Sequence, residues 1–361
     1  RPQSEVGMKI LYGVAGEGMG HATRAKAVLD KLHEHNVKVI TADSAANYLS
    51  KWFDVRRIAC FKIIYRNNKV SNLGIIVDIL LRSPILCISL IKTFLFALRW
   101  KPDVIVTDFE PFTCYAGMLL RIPVVSIDNQ QLLLRTDAAQ KLTWESFKTA
   151  FVTKLLVPAA NQYVITAFSR PSITKRRTTI VGPIVRKALP APAQGDHVLV
   201  YQTSKSNKRL FRILQSVPAQ FIVYGFDREG KEGNIQFKRF HEQKFMQDLA
   251  SCKAVITNGG YSLMSEALML GKPVLSEPVG KQFEQQLNAL LLEKEGFGQR
   301  TEHIGAMQIS SFLLKNFKKY AGPTGNNATI TAIERACSAL PQSSRLLPYR
   351  GALPSPSRST R

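Results

Sequence analysis

Short apolar runs rich in β-branched residues alternate along this chain with longer stretches whose apolar positions recur every three or four residues. Lys9–Val14 (KILYGV) is the first such run and predicts a buried strand. Behind it Ala22, Ala25, Val28, Leu29 and Leu32 keep helical spacing, with Thr23 and Arg24 in the first turn. VKVIT (37–41), VIVT (104–107) and VVSI (124–127) read as further strands, and residues 164–167 add a last one. Strands alternating with helices predict an α/β domain with a parallel sheet over residues 8–175. A charge cluster, a Gly-Pro and further prolines then predict a linker over 176–193. The pattern restarts at HVLVYQ (197–202), followed by a polar turn from Thr203 to Asn207 and a helix. FIVY (221–224), AVIT (254–257) and PVL (273–275) continue it, predicting a second α/β domain over 194–340. Doubly wound domains bind ligands at the carboxyl ends of their strands, so the expected site is the cleft between the two.

One stretch breaks the pattern. Leu73–Trp100 is the most apolar region, yet Asp78, Arg82, Pro84 and Lys92 interrupt it, so it is not expected to span a membrane. Pro84 predicts two helices, either paired in the core or presenting a greasy, basic-edged face to lipid.

The apolar share of 45% and the charged share of 21% are those of an ordinary soluble globular protein. The net charge of +23 is not, and it points to nucleic acid, anionic lipid or phosphorylated small molecules as partners. Part of it lies in residues 341–361, a Pro/Ser/Arg-rich stretch expected to be a disordered basic tail. Residues 1–7 read as a leader or cloning remnant, too short and polar for a signal peptide. Cys60, Cys87, Cys114, Cys252 and Cys337 are scattered and apolar-flanked, the pattern of reduced core thiols.

Two stretches carry chemistry. GVAGEGMGHATRAK (13–26) forms a glycine-rich turn between strand and helix, where Gly18 and Gly20 allow close approach of a ligand to the backbone and the helix start favours an anion. Its GxGxG spacing is not the GxGxxG of a dinucleotide-binding dehydrogenase, although Asp43 ends the next strand about where a ribose-binding acid would sit. No Gly-Lys-Ser/Thr closes a glycine run as a P-loop would. The second stretch, residues 254–289, gives a strand, then Asn258-Gly259-Gly260 opening a helix with Glu266 inside it. A further strand, a polar loop and the Gln282–Gln286 cluster follow. A helix N-terminus for phosphate beside a carboxylate and glutamines for hydroxyls suits a nucleotide-sugar.

This segment resembles the donor-binding region of GT-B glycosyltransferases that use UDP-sugars. Among them are the lipid-intermediate N-acetylglucosaminyltransferase of peptidoglycan synthesis, the plant galactolipid synthases and the UDP-glycosyltransferases. GEGMGHATR (16–24), DNQ (128–130) and GKQFEQQLNA (280–289) are similar to a little-characterised prokaryotic glycosyltransferase family of this fold. The resemblance implies two Rossmann-like domains facing a cleft. It assigns Glu266 to the ribose hydroxyls, Glu284 and Gln285 to the sugar or ribose, and Gln282 to their neighbourhood. Thr203 and Ser204 would face the diphosphate, GPIVR (182–186) would bring Arg186 near the donor, and the backbone of Met246 would pair with uracil. Asn258 stands where plant and animal enzymes carry a phosphate-binding histidine. Phosphate contact would then fall to the N–H groups of Gly259, Gly260, Tyr261 and Ser262, or to Arg186.

The same resemblance makes His21 the general base that takes the acceptor proton and Asp108 the acid that orients it, with Glu110 as a nearby substitute. The alternatives are bland ones. His21 would stabilise its turn, Asp108 would cap its strand, Glu266 and the amide cluster would be solvated helix faces, and Arg186 would belong to a basic linker. DFE (108–110) also mimics a metal-binding DxD, but no obligatory metal is expected in this fold. The expectation is an inverting transferase that moves a hexose or N-acetylhexosamine from a UDP-sugar to a hydroxyl of a lipid-linked or glycan acceptor. It would be cytoplasmic and peripheral on the inner face of the cell membrane, held by an anionic surface, with no nucleic acid partner. Rival readings are a UDP-sugar 2-epimerase of the same fold and a non-enzymatic basic protein that binds nucleic acid or anionic membrane.

Overall fold

The computed structural model describes residues 7–62, 64–66, 69–139, 143–202, 208–280 and 282–338. The first domain begins with β1 (Lys9–Val14), α1 (Met19–Leu29), β2 (Asn36–Thr41), α2 (Asp43–Leu49) and β3 (Val55–Arg57). A hairpin of β4 (Tyr65–Arg66) and β5 (Lys69–Val70) leads to α3 (Asn72–Trp100), β6 (Val104–Asp108), α4 (Pro111–Leu120) and β7 (Val124–Asp128). The domain continues with α5 (Leu132–Arg135), α6 (Trp144–Leu156), β8 (Gln162–Thr166) and β9 (Thr178–Val181). Its sheet is parallel throughout, in the order β3-β2-β1-β6-β7-β8-β9.

The second domain runs through β10 (His197–Tyr201), α7 (Lys208–Gln215), β11 (Gln220–Tyr224), β12 (Gly230–Glu232), β13 (Ile235–Phe237) and α8 (Glu242–Ser251). It goes on through β14 (Ala254–Thr257), α9 (Tyr261–Met269), β15 (Val274–Ser276), α10 (Phe283–Glu295), β16 (Gly298–Arg300) and α11 (Ala306–Leu313). Its sheet has the order β12-β13-β11-β10-β14-β15-β16, with only the edge strand β12 antiparallel. A final helix, α12 (Asn326–Ser338), returns to the first domain, where Ile333 and Cys337 join the core beneath β1 and α1.

Strand alternation explains the layers. Ile10, Tyr12 and Val14 face α1 and α12, while Leu11 faces the opposite layer with Ala97 of α3, Cys114 and Ala116 of α4 and Val157 behind α6. The interface between domains is apolar at its centre, because Leu132, Ile165 and Phe168 of the first domain share a core with Met264 and Leu287 of the second. Tyr261 stacks on Phe168 there, and its hydroxyl lies 3.0 Å from Thr166 Oγ1.

Three expectations need correction. The second domain, expected over 194–340, ends before α12, which packs on β6, β7 and β8 of the first. The linker expected from residue 176 begins later, because Thr178–Val181 pairs with β8 as the last strand of the first sheet. Its polar start hides the strand from any periodicity test. Pro84 does not divide Leu73–Trp100, which lies within one helix of 29 residues. A proline leaves the carbonyl four residues back without its helical donor. Here Ser83 Oγ donates to that carbonyl, Leu80 O, at 2.9 Å and keeps the helix intact. Nor is this helix a core element. Its buried side is a stripe holding Leu86, Ser89, Thr93 and Ala97, whereas Leu73, Leu80, Leu81, Ile85 and Ile91 are exposed. By length and composition alone α3 could cross a membrane, but the stripe lies along the domain against α4.

Candidate active site

β1 ends in the glycine turn, and Gly18 occupies φ 81°, a left-handed conformation that glycine adopts without strain. α1 therefore starts with no side-chain cap and turns His21 back toward the end of β6, which pairs with β1 and finishes at Asp108. His21 Nδ1 lies 2.7 Å from Asp108 Oδ1. Arg24, one turn along α1, donates through Nε to Asp108 Oδ2 at 2.8 Å and through Nη2 to Oδ1, while Nη2 sits 3.0 Å from His21 Nδ1. Burial pushes the Asp108 carboxyl up, but the Arg24 charge, with the hydrogen bonds from Arg24 and His21, outweighs it and holds the group below the ordinary carboxylate value. Phe109 stacks on the imidazole at 6.3 Å between centroids.

The neighbouring strand β7 ends in a second buried acid, Asp128, which sequence reasoning did not single out. Its Oδ2 accepts from Ser126 Oγ at 2.6 Å and its Oδ1 from the Gln131 N–H at 2.8 Å. Burial pushes its pKa up to about 6, against the pull of those hydrogen bonds and of Arg24. Glu110 serves neither as base nor beside a partner acid. Its two oxygens cap α4, accepting the N–H groups of Phe112 at 2.9 Å and Thr113 at 2.7 Å. The two carboxylates of DFE are thus committed to different partners.

Across the cleft α9 opens at Gly260, again without a side-chain cap. Gly259 takes φ 102°, and a Cβ there would crowd the Gln285 carbonyl at 3.0 Å. Ser262 Oγ donates to Gly20 O at 3.0 Å, so the starts of α1 and α9 meet. Glu266, one turn further on, is buried and receives Arg186 Nε at 2.6 Å and Nη2 at 3.3 Å. Arg186 Nη1 also donates to Glu242 at 2.8 Å, and Tyr48 of the first domain donates to the same Glu242 oxygen at 2.8 Å. Burial raises the Glu266 pKa, and the Arg186 charge offsets part of that rise. Burial works against the charge of Arg186, yet Glu266 and Glu242 hold its pKa above the ordinary value.

The remaining sequence-derived residues divide. Glu284 accepts from Gln130 Nε2 at 3.1 Å, linking α10 to the DNQ segment across the cleft. Gln285 is buried and braces the loop before α10 by accepting the Val279 N–H at 3.0 Å. Gln282 caps α10 with its backbone and has a buried side-chain oxygen. Asn258 Nδ2 donates to Glu277 O at 3.2 Å. Met246 is the fifth residue of α8, so its N–H falls within the helical ladder, and its side chain is buried in the core. Thr203 and Ser204 lie outside the described residues. Sequence reasoning missed Arg24, Asp128, Gln130, Glu242 and Tyr48 as parts of the site. The only signals for the first three were their places in HATR and DNQ.

Two Rossmann-like domains with a histidine–aspartate pair on one wall and a buried carboxylate–arginine pair on the other define a GT-B glycosyltransferase. Residues 8–316 match Glycosyl transferase family 1, and the chain belongs to that family. An uncharacterized glycosyltransferase of Methanosarcina acetivorans is 26% identical over 328 residues, covering 81% of this chain and 85% of the relative. Among solved structures, Arabidopsis thaliana UGT89C1 complexed with quercetin superposes with a TM-score of 0.65 at 14% identity, covering 92% of this chain and 100% of that one. The same protein complexed with UDP-L-rhamnose gives 0.61 at 14% identity, covering 92% of this chain and 94% of that one.

Proposed function

We propose that this glycosyltransferase moves a hexose or N-acetylhexosamine from a UDP-sugar to a hydroxyl of a lipid-linked or glycan acceptor, inverting the anomeric centre. The carrying observation is the meeting of two uncapped helix starts, at Gly18 and Gly260, with one ionisable pair behind each. Leading N–H groups of a helix have no partner within it and carry partial positive charge, so a diphosphate bound there would neutralise both ends. Behind α9, Glu266 would take the ribose hydroxyls, which requires Arg186 to move from Glu266 to the incoming phosphate. Behind α1, His21 donates Nδ1–H to Asp108, leaving Nε2 to accept the acceptor proton as its oxygen attacks the anomeric carbon. UDP departs with the bonding electrons, its charge met by the helix starts. A UDP-sugar ligand in a protein of the same fold supports the donor class.

A lipid-linked acceptor is supported by the outer layer of the first domain. α3 exposes an apolar side, α6 exposes Trp144, Phe147 and Phe151, and both helices pack on α4. Arg82, Lys92 and Arg99 of α3 and Lys148 and Lys154 of α6 interleave with these residues, a composition that suits an anionic bilayer on the cytoplasmic side.

The test incubates the protein with a panel of UDP-sugars, with and without membrane lipid extract, and follows UDP and labelled product. Acceptor-dependent UDP release with label in the lipid or glycan fraction is expected. A new UDP-sugar formed without any acceptor would replace the transferase by the epimerase reading. Flotation with anionic vesicles tests the surface: binding should weaken with salt and be lost in Leu81→Glu/Ile85→Glu, and wild-type protein that never floats would remove the membrane.

A further inference from the structure

We infer that Arg24 is a positioning residue for sugar transfer: its guanidinium fixes the orientation of Asp108 and sets a positive charge against the edge of the imidazole whose Nε2 would take the acceptor proton. The inference rests on the reading of His21 as general base. It concerns a residue to which neither composition nor resemblance gave a role.

The geometry divides Asp108 between two partners. Oδ2 accepts Arg24 Nε at 2.8 Å, and Oδ1 accepts both Arg24 Nη2 and His21 Nδ1, the latter at 2.7 Å. A guanidinium has only donors and stays charged, so the contact of 3.0 Å between Nη2 and Nδ1 contributes no proton acceptor on the arginine side. With Asp108 ionised, the Nδ1 proton points at Oδ1, and the tautomer follows from the donors around it. Arg24 is 4% exposed and Asp108 fully buried, so their charges are little screened by solvent.

The carboxylate therefore already has its counter-charge. A second proton on His21 would place a second cation beside the first, against the same anion. Among the described residues, the other groups facing this cluster are Tyr12 of β1, Asp128 of β7, Tyr261 of α9, and Ile333 and Cys337 of α12; Asp128 brings a second carboxylate, whose charge acts on Arg24. Asp128 is itself held by Ser126 and the Gln131 N–H. Without Arg24, Asp108 would bind a doubly protonated His21 as its only counter-ion, and the base would be lost to protonation at a higher pH.

The experiment is kcat against pH, from about pH 5 to pH 9, for wild type, Arg24→Gln, Arg24→Lys and His21→Ala with saturating UDP-sugar, alongside the affinity for UDP. Removing the positive charge at this distance is expected to move the acid limb to higher pH in Arg24→Gln. Arg24→Lys should keep the limb near its wild-type position and lose kcat, because an ammonium supplies the charge but not the two-pronged grip. UDP affinity should be unchanged in both. NMR titration of the His21 imidazole, assigned by its loss in His21→Ala, reads the same shift without turnover. A folded Arg24→Gln with a wild-type limb and wild-type kcat overturns the inference. If His21→Ala itself keeps limb and turnover, the base reading fails instead. Should Arg24→Gln not fold, Arg24→Lys carries the test alone. Lowered kcat with unchanged UDP affinity in that variant supports the positioning role, and wild-type kcat overturns it.

Discussion

The two walls of the cleft each bury a carboxylate against an arginine, yet they are built differently. On the first wall Asp108 and Arg24 are 0% and 4% exposed, and every member of the cluster comes from one domain. On the second, Arg186 and Glu242 have side chains 17% and 36% exposed, Arg186 lies on the chain crossing between domains, and Glu242 reaches Tyr48 on the other domain. The first cluster is held by buried charges from a single domain, which suits the proton transfer proposed for it. The second shares Arg186 between Glu242, which is open to water and weakly held, and Glu266, which is buried and needs a new partner if Arg186 leaves it. The proposed division, chemistry on the first wall and donor capture on the second, rests on that difference.

The sharpest way to break this comparison is to remove one member from each wall. His21→Ala should lower turnover about 10²- to 10⁴-fold while leaving UDP affinity intact, since a general base acts only when the proton moves. Steady-state kinetics with calorimetry checks it, and weakened UDP binding would put His21 on the donor side. Glu266→Ala should do the reverse, weakening UDP about 10- to 150-fold, the equivalent of a charged hydrogen bond of about 1.5–3 kcal/mol. An unchanged dissociation constant in the folded variant would leave Glu266 as a counter-ion for Arg186 alone.

Asp128 sharpens the picture of the first wall. Its folded pKa of about 6 lies above the ordinary aspartate value of about 3.9, so the native state binds the extra proton between those limits. Stability should therefore fall as pH rises from about 4 to about 6, by at most about 3 kcal/mol from this group. Asp128→Asn should flatten that slope in denaturant titrations, and a slope that survives would assign it to another acid. The smallest effect belongs to the link between the walls. Tyr48→Phe removes one half-open hydrogen bond to Glu242 and should cost about 0.5–1.5 kcal/mol in thermal unfolding, with turnover close to wild type.

Much of this architecture is legible in the chain because parallel strands buried on both faces are continuous apolar runs. β1, β6, β7, β10 and β14 are such runs. β16 reads GQR and β9 reads TTIV, and neither carries enough apolar residues to be seen without its neighbours. α3 was misjudged because the proline rule is local and the helix runs on through Pro84, with Ser83 Oγ on the carbonyl that the proline leaves without its helical donor. In the site, the His21–Asp108 and Arg186–Glu266 pairs could be sought because resemblance pointed at each member. Arg24, Asp128 and Glu242 could not. Arg24 and Asp128 lie in the resembling stretches but received no role there, Glu242 lies outside them, and their partners, as with Arg24 and Asp108 84 positions apart, are set only by the crossing of strands and helices.

The most direct test of the two-wall account is a crystal structure of the protein with UDP. The diphosphate is expected between the starts of α1 and α9, with the ribose on Glu266 and Arg186 turned from that carboxylate to phosphate, while His21, Asp108 and Arg24 keep their contacts. UDP bound elsewhere, or bound with the Arg186–Glu266 pair intact and the histidine cluster rearranged, would contradict it.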